Sequence, residues 1–379
     1  MQTSFLPGIE LKVPLLGFGC MRLPTASSNP ADIDEALAQS MVDRAMEAGV
    51  NYFDTARPYH EGNSEPFIGR ALKKYPRDSY YLASKLPIWE VKQPEDVERL
   101  FNLQLERCGV DYFDFYLVHN LNKRDYDTMV RNFVYGQLLA KKNEGKIRFL
   151  GFSFHDEPYL LEEICHAYEW DFAQIQLNYM DWKDIEAESL YNTLIRRKIP
   201  AIIMEPVRGG TLATLSPESA KLLKNARPDA SLASWALRFA AGLPGVLTVL
   251  SGMSSPEQLE DNIKTFSDFE PLTEDETRLL QEAAAIYRSS GEIPCTACGY
   301  CTPCPFKVDI PRVIGCYNHY LQTKNWVAFD SLYCTMPNPA RAHSCTRCGL
   351  CLPKCPQALP IPDLMEKIGK FAEEIAQNN

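Results

Sequence analysis

The stretch IDEALAQSMVDRAMEAGVNYFDTA, residues 33–56, decides the reading of the fold. From Ile33 to Gly49 it carries apolar residues at helical spacing and stops at a glycine, a helix C-terminal signal. NYFDTA (51–56) then reads as a short, largely apolar strand. The same alternation recurs along the chain at intervals of roughly thirty residues, the length of a βα unit. Strands are expected at LLGFG (15–19), NYFDTA (51–56), YYLASKL (80–86), FDFYLVH (113–119), IRFLGFS (147–153), FAQIQLNY (172–179), AIIMEP (201–206) and LTVLSG (247–252). Most are rich in Val, Ile, Leu, Phe and Tyr, as strands buried on both faces should be. PEDVERLFNLQLERCG (94–109) begins with proline and acids and ends in Arg107 and a glycine, as the helix dipole favours, and SPEQLEDNI (255–263) opens another helix in the same way. Eight strands, each followed by a helix, predict an α/β fold of the (β/α)₈ TIM-barrel type. An open doubly wound sheet is the alternative, but the first strand runs into GFGCMR (17–22), without the GxGxxG turn of dinucleotide-binding sheets.

The rhythm ends near Asp268. EPLTEDETRLLQEAAAIYRSSGE reads as a helix with an acidic start followed by a break, with further helices expected over Pro311–Thr323, Trp326–Met336 and Ile361–Gln377. Two domains are expected, the barrel over 1–285 and a small, mainly α-helical, ferredoxin-like domain over 286–379. The length of 379 residues, 45% of them hydrophobic, accommodates both. A net charge of −10 argues against nucleic acid and against a basic membrane patch. Met1 to Glu10 lack a secretory pattern and no apolar run is long enough to span a bilayer, so a cytoplasmic location without a membrane partner is expected.

Ten of the 13 cysteines lie between Cys295 and Cys355. Clustering of this kind, with no export signal, points to metal rather than to disulfides. CTACGYCTPCP supplies Cys295, Cys298, Cys301 and Cys304; CTRCGLCLPKCP supplies Cys345, Cys348, Cys351 and Cys355. The second run matches the C-x₂-C-x₂-C-x₃-C-P spacing of bacterial ferredoxins, in which three thiolates hold one [4Fe–4S] cube and the fourth reaches the other. Zinc is the alternative, but two CxxC pairs satisfy one zinc and leave four thiolates without a purpose. The first run has only two residues between its third and fourth cysteines, which leaves open whether Cys304 closes on its own cluster or on the neighbouring one. Cys316 and Cys334 are expected to be buried small hydrophobes.

In the barrel, Asp54, Lys85 and His119 fall at the ends of successive strands and Tyr59 lies in the loop after Asp54. Those positions converge on the C-terminal mouth of a barrel. Singly each has an ordinary structural reading, as N-cap, packing or solvated charge. Together they suit carbonyl reduction. A tyrosine, with a reference pKa of about 10, becomes a competent proton donor beside a cation. Lys85 supplies that charge, Asp54 fixes the lysine and His119 orients the carbonyl oxygen.

GVNYFDTARPYHEGNSEPFIGRAL (49–72), ASKL (83–86) and DYFDFYLVHN (111–120) resemble the aldo-keto reductase family over about residues 5–270, and the cysteine tail resembles its iron–sulfur-containing branch. The resemblance implies Asp54, Tyr59, Lys85 and His119 as catalytic tetrad, a carbonyl or alcohol substrate, and NADP or NAD bound across the barrel mouth. It also implies cofactor contacts from Met21, Ser153, Gln174, Pro206, Val207, Gly209, Gly252, Gln258, Asp261 and Asn262. Phe154 stands where the family has Asn, and Met204 where an aromatic commonly stacks on the nicotinamide. Gly252 and Gln258 replace a Lys and an Arg that hold the 2′-phosphate in many members; Arg22 and Arg208, near the mouth, are candidates either to substitute for those cations or to grip an acidic substrate. Two [4Fe–4S] clusters would be structural, sense redox state, or exchange electrons with a redox partner protein. The alternative to an enzyme is an electron-transfer or redox-sensing protein whose barrel docks a partner or binds nucleotide without turnover.

Overall fold

The computed structural model describes residues 1–377 apart from 7, 8 and 28. A two-stranded antiparallel hairpin comes first, β1 (Thr3–Leu6) and β2 (Ile9–Pro14), which the sequence reading, starting its strands at Leu15, omits. Then come β3 (Leu16–Gly19), β4 (Tyr52–Asp54), β5 (Tyr81–Leu86) and β6 (Phe113–Leu121). They are followed by β7 (Ile147–Phe154), β8 (Phe172–Gln176), β9 (Ala201–Met204) and β10 (Val246–Ser251). These eight pair in parallel and close into a barrel, with β10 returning to β3. Each overlaps an expected strand. The doubly wound alternative is therefore excluded, because an open sheet leaves two edges unpaired.

Strand ends depart from expectation for local reasons. β9 stops at Met204 rather than running to residue 206 because Glu205 takes a φ of +55°. β6 extends to Leu121, with a register shift between Val118 and Leu121 where Asn120 turns at a φ of +59°. His119 therefore sits at a kink in its strand.

Val13, Tyr52, Phe115, Leu117, Phe172, Ile202 and Leu247 fill the barrel interior. The hairpin closes the end at which the strands begin: Ser4 Oγ donates to the Leu247 carbonyl at 2.5 Å and Tyr81 Oη to that of Lys12 at 3.3 Å. Functional side chains are left to the opposite end.

The chain divides into two compact units, Met1–Pro206 with Ser234–Leu272, and Val207–Ala233 with Thr273 onward. In the second, helix Glu274–Ser289 starts with a capping box between Thr273 and Glu276, the acidic start legible in the sequence. Helices Ile310–Thr323, Trp326–Cys334 and Ile361–Gln377 follow, around a core of Ile293, Val313, Ile314, Tyr317, Phe329 and Met365. Cys316 is buried in this core as expected. Cys334 is not: it is exposed, one residue past the buried Tyr333, and its thiol donates to Asp330 at 3.3 Å. Among the described residues no helix is long and apolar enough to cross a membrane.

Candidate active site and cysteine cavities

The register of the first barrel strands sets the site. Asp54 ends β4 opposite Ala83, and Lys85 follows two residues later on β5, opposite Leu117 of β6, with His119 two residues beyond. Lys85 is fully buried, and its ammonium uses all three N–H groups. It donates to Asp54 Oδ1 at 2.6 Å, to the Thr55 carbonyl at 2.9 Å and to Tyr59 Oη at 3.3 Å. Tyr59 lies in a tight turn whose next residues, His60 and Glu61, both have positive φ. Its ring meets that of His119 edge-on at 6.2 Å. The four expected catalytic residues are thus brought together, all buried.

Their electrostatics follow from that burial. Desolvation raises the Asp54 carboxyl above its usual range, and the Lys85 charge and hydrogen bond pull it back. Burial pushes the His119 imidazole well below its ordinary value, with the Lys85 ammonium and the neighbouring His155 adding to the effect. The imidazole is therefore neutral near pH 7, with a ring suited to hydrogen bonding. The arrangement offers a phenol held by a cation, next to a neutral imidazole: a proton donor and an orienting group for one polar oxygen.

Behind the site lies a buried polar network that the sequence reading missed. Glu65 accepts from Ser84 Oγ at 2.9 Å, Gln104 Nε2 at 2.5 Å and Arg107 Nε at 2.8 Å. Gln104 also donates to the Lys85 carbonyl at 3.0 Å and accepts from Tyr116 Oη at 2.6 Å. The backbone at Ser84–Lys85 is clamped, which fixes where the lysine points. Trp89 was also missed; it lies 5.0 Å from the His119 ring, half-buried, and walls the site. Its signal in the sequence is an aromatic four residues past Lys85 in a loop at the barrel mouth.

The residues implied as cofactor contacts form separate groups. Ser153 and Gln174 pair across β7 and β8, both buried. Ser153 Oγ accepts from the Asn120 N–H at 2.7 Å, whereas Gln174 Oε1 and Asn120 Oδ1 are buried without a hydrogen-bond partner among the described residues. Met204 Sδ lies 3.4 Å from Gln174 Nε2. Met21 is half-buried in the turn Cys20–Arg22 after β3. Gly252, Gln258, Asp261 and Asn262 gather at helix Pro256–Ser267. Gln258 Oε1 accepts from Ser254 N, and Asn262 Nδ2 donates to Ser251 Oγ, both at 2.8 Å. The Arg22 side chain lies against Gly252, its Cδ 3.0 Å from where a Cβ would stand, and its guanidinium is 3.8 Å from Glu205. Pro206 ends the first compact unit. Val207 and Gly209 open the second, in a turn with the buried Arg208.

The two cysteine runs line two cavities of the second unit. One is bordered by Cys295, Cys298, Cys301 and Cys355. The other is bordered by Cys304, Cys345, Cys348 and Cys351, with Cys301 touching it as well. Burial pushes the Cys301 thiol up to about 12, with Cys298, Cys295 and Cys355 contributing as close neighbours. Burial likewise raises Cys351, with Cys345, Cys348 and Cys304 nearby. Among the described residues no three His, Cys, Asp or Glu side chains converge on one ion.

Comparison with known proteins accords with the barrel. Residues 15–285 match the model of the aldo/keto reductase family. The chain is 25% identical over 326 residues to the NADH-specific methylglyoxal reductase of Escherichia coli (strain K12), which spans 75% of this chain and 98% of the relative. It is 27% identical over 310 residues to L-galactose dehydrogenase of Arabidopsis thaliana, spanning 76% and 94%. Among solved structures it resembles the holo form of aldo-keto reductase AKR11C1 from Bacillus halodurans, with a TM-score of 0.62 and 27% identity over 75% of this chain and 96% of that one.

Proposed function

The chain belongs to the aldo/keto reductase family, and from that premise we propose that it reduces a small aldehyde or ketone, or runs the reverse alcohol oxidation, with a nicotinamide dinucleotide. The observation that carries this reading is the Lys85 ammonium, buried and bonded at once to Asp54 and Tyr59. A barrel that only docks a partner has no use for a buried cation aimed at a phenol. The buried, unpartnered Gln174 Oε1 suits a carboxamide N–H, so the residues present fit the group. Ser153 and Gln174 would hold the nicotinamide amide, Met21 and Met204 would flank the ring, and Pro206, Val207 and Gly209 would run beside the pyrophosphate. Gly252, Gln258, Asp261 and Asn262 would take the adenosine end. The bound dinucleotide supplies the hydride.

Tyr59 donates its proton to the carbonyl oxygen as that oxygen gains charge. Lys85, already pointed at the phenol oxygen, stabilises the phenolate left behind. Asp54 keeps the ammonium in place, and neutral His119 donates a hydrogen bond that orients the carbonyl. The test is transfer of deuterium from a C4-deuterated dinucleotide to the alcohol carbon across a panel of aldehydes. Product without label would sink the assignment.

The chain carries no Lys or Arg at 252 and 258, and its nearby Arg22 already faces Glu205. We therefore propose that NADH serves at least as well as NADPH. Gln258→Arg is expected to raise NADPH affinity about tenfold, the worth of one charge-assisted hydrogen bond, and to leave NADH within about twofold. Titration of nucleotide fluorescence measures both.

We further propose two [4Fe–4S] clusters in the region 286–379, ligated by Cys295, Cys298, Cys301 and Cys355, and by Cys304, Cys345, Cys348 and Cys351. The grouping of thiols about two cavities supports that partition over closure of each motif on itself. Thirteen thiols without a disulfide suit a reducing compartment, and we propose a cytoplasmic location.

A further inference from the structure

Within the second compact unit, the turn after β9 meets the first cysteine run. Gly209 has a φ of +65°, and a Cβ there would stand 2.0 Å from the Thr296 carbonyl oxygen and 2.6 Å from its carbonyl carbon. Thr296 is itself buried, between Cys295 and Cys298. Only bare backbone permits so close an approach. The next residue, Gly210, has a φ of +96° but nothing within 4 Å of its missing Cβ.

A second connection runs through helices. Helix Pro217–Ala226, just past the turn, is tied to helix Glu274–Ser289 by a 3.0 Å hydrogen bond from Ser219 Oγ to the Ala283 carbonyl and by the Arg227–Glu276 ion pair. From there the chain is pinned towards Cys295. Glu292 accepts from Tyr287 Oη at 2.5 Å and Gln322 Nε2 at 2.9 Å, and the Asn318 amide brackets both the N–H and the carbonyl of Ile293 at 2.9 and 2.7 Å. The run 295–301 itself has no helix or strand and places Ala297 and Gly299 at positive φ. Ligands at Cys295 and Cys298 would fix the backbone on both sides of Thr296.

We infer that the first cluster site is the buttress of the nucleotide loop: filling it holds Thr296 against Gly209 and raises dinucleotide affinity, and dinucleotide binding in turn perturbs that cluster. The inference rests on the proposed roles of the cysteines and of Val207–Gly209. The reciprocity is thermodynamic, since two ligands coupled through one contact alter each other's binding equally.

The test uses the whole chain, purified and reconstituted without oxygen. Nucleotide Kd is measured before and after iron removal by a chelator, and the visible circular dichroism of the clusters is recorded with and without NADH and NADPH. Chelation is expected to weaken Kd about tenfold or more, within the usual range of coupling. Nucleotide is expected to alter the cluster spectrum of the wild type. Gly209→Ala, which drives a methyl into Thr296, should abolish that spectral response with iron retained. Gly210→Ala, more strained in backbone but touching nothing, should keep it. Should chelated protein unfold, the wild-type spectral response decides. An iron-loaded protein whose spectrum ignores nucleotide, or whose two glycine variants respond alike, overturns the coupling while leaving the clusters standing. A reconstituted protein without iron overturns both.

Discussion

Tyr59→Phe is expected to lower kcat for carbonyl reduction by about 10³-fold or more, close to 4 kcal/mol of barrel-site catalysis, with nucleotide Kd unchanged within about twofold. The substitution removes one oxygen and keeps the ring that packs edge-on to His119. Lys85→Met should cost as much in rate and also destabilise the fold. It strands the Asp54 carboxyl, nearly fully buried, without its cation, a loss of about 3–5 kcal/mol for a broken buried pair. Steady-state rates read the first effect and denaturant unfolding the second. A Tyr59→Phe enzyme that keeps a tenth of its rate would show that the acid has been misassigned. His119 makes a companion prediction. Its folded-state pKa lies well below 6.5, so kcat/KM should show no imidazole limb between about pH 6 and 7. Stability has the matching sign. Below about pH 6.5 the unfolded imidazole binds a proton that the folded one refuses, so His119 makes the fold less stable as pH falls and has no such effect above that range.

The second large effect concerns the cysteines. Two full clusters carry about eight iron atoms per chain, and loss of one leaves about four. Cys298→Ala and Cys355→Ala border the same cavity, so the double variant should lose no more iron than either single one. Cys298→Ala with Cys304→Ala strikes both cavities and should lose nearly all of it. Iron and sulfide analysis of the two single and two double variants decides. If the 298/304 pair behaves like a single loss, each motif closes on itself and the proposed partition is wrong.

The barrel and the clustering of Asp54, Tyr59, Lys85 and His119 were legible because they are written in short-range patterns. A strand buried on both faces is an apolar run, and a polar residue at its last position stands out, as Asp54, Lys85 and His119 do. Residues that act through long-range packing leave no such mark. Glu65 looks like a surface acid on a helix; only the fold shows it buried under Gln104 and Arg107, which lie about forty residues away in sequence. The hairpin over Thr3–Pro14 escaped because it is short and its role is to close the barrel end. Strand ends slipped where single residues, Asn120 and Glu205, adopt positive φ that composition does not announce. Cys334 was expected inside and lies outside, because a small helical residue one step from a buried Tyr333 can face either way.

The division of thiols between the cavities bears on biosynthesis. Each proposed ligand set takes three thiols from one motif and its fourth from the other, so neither would be encoded by a continuous segment. A ribosome would have to translate to Cys351 before one set of four exists and to Cys355 before the other does. On the proposed ligand sets, loading of iron and sulfide would follow translation, on a chain whose barrel segments have long since emerged.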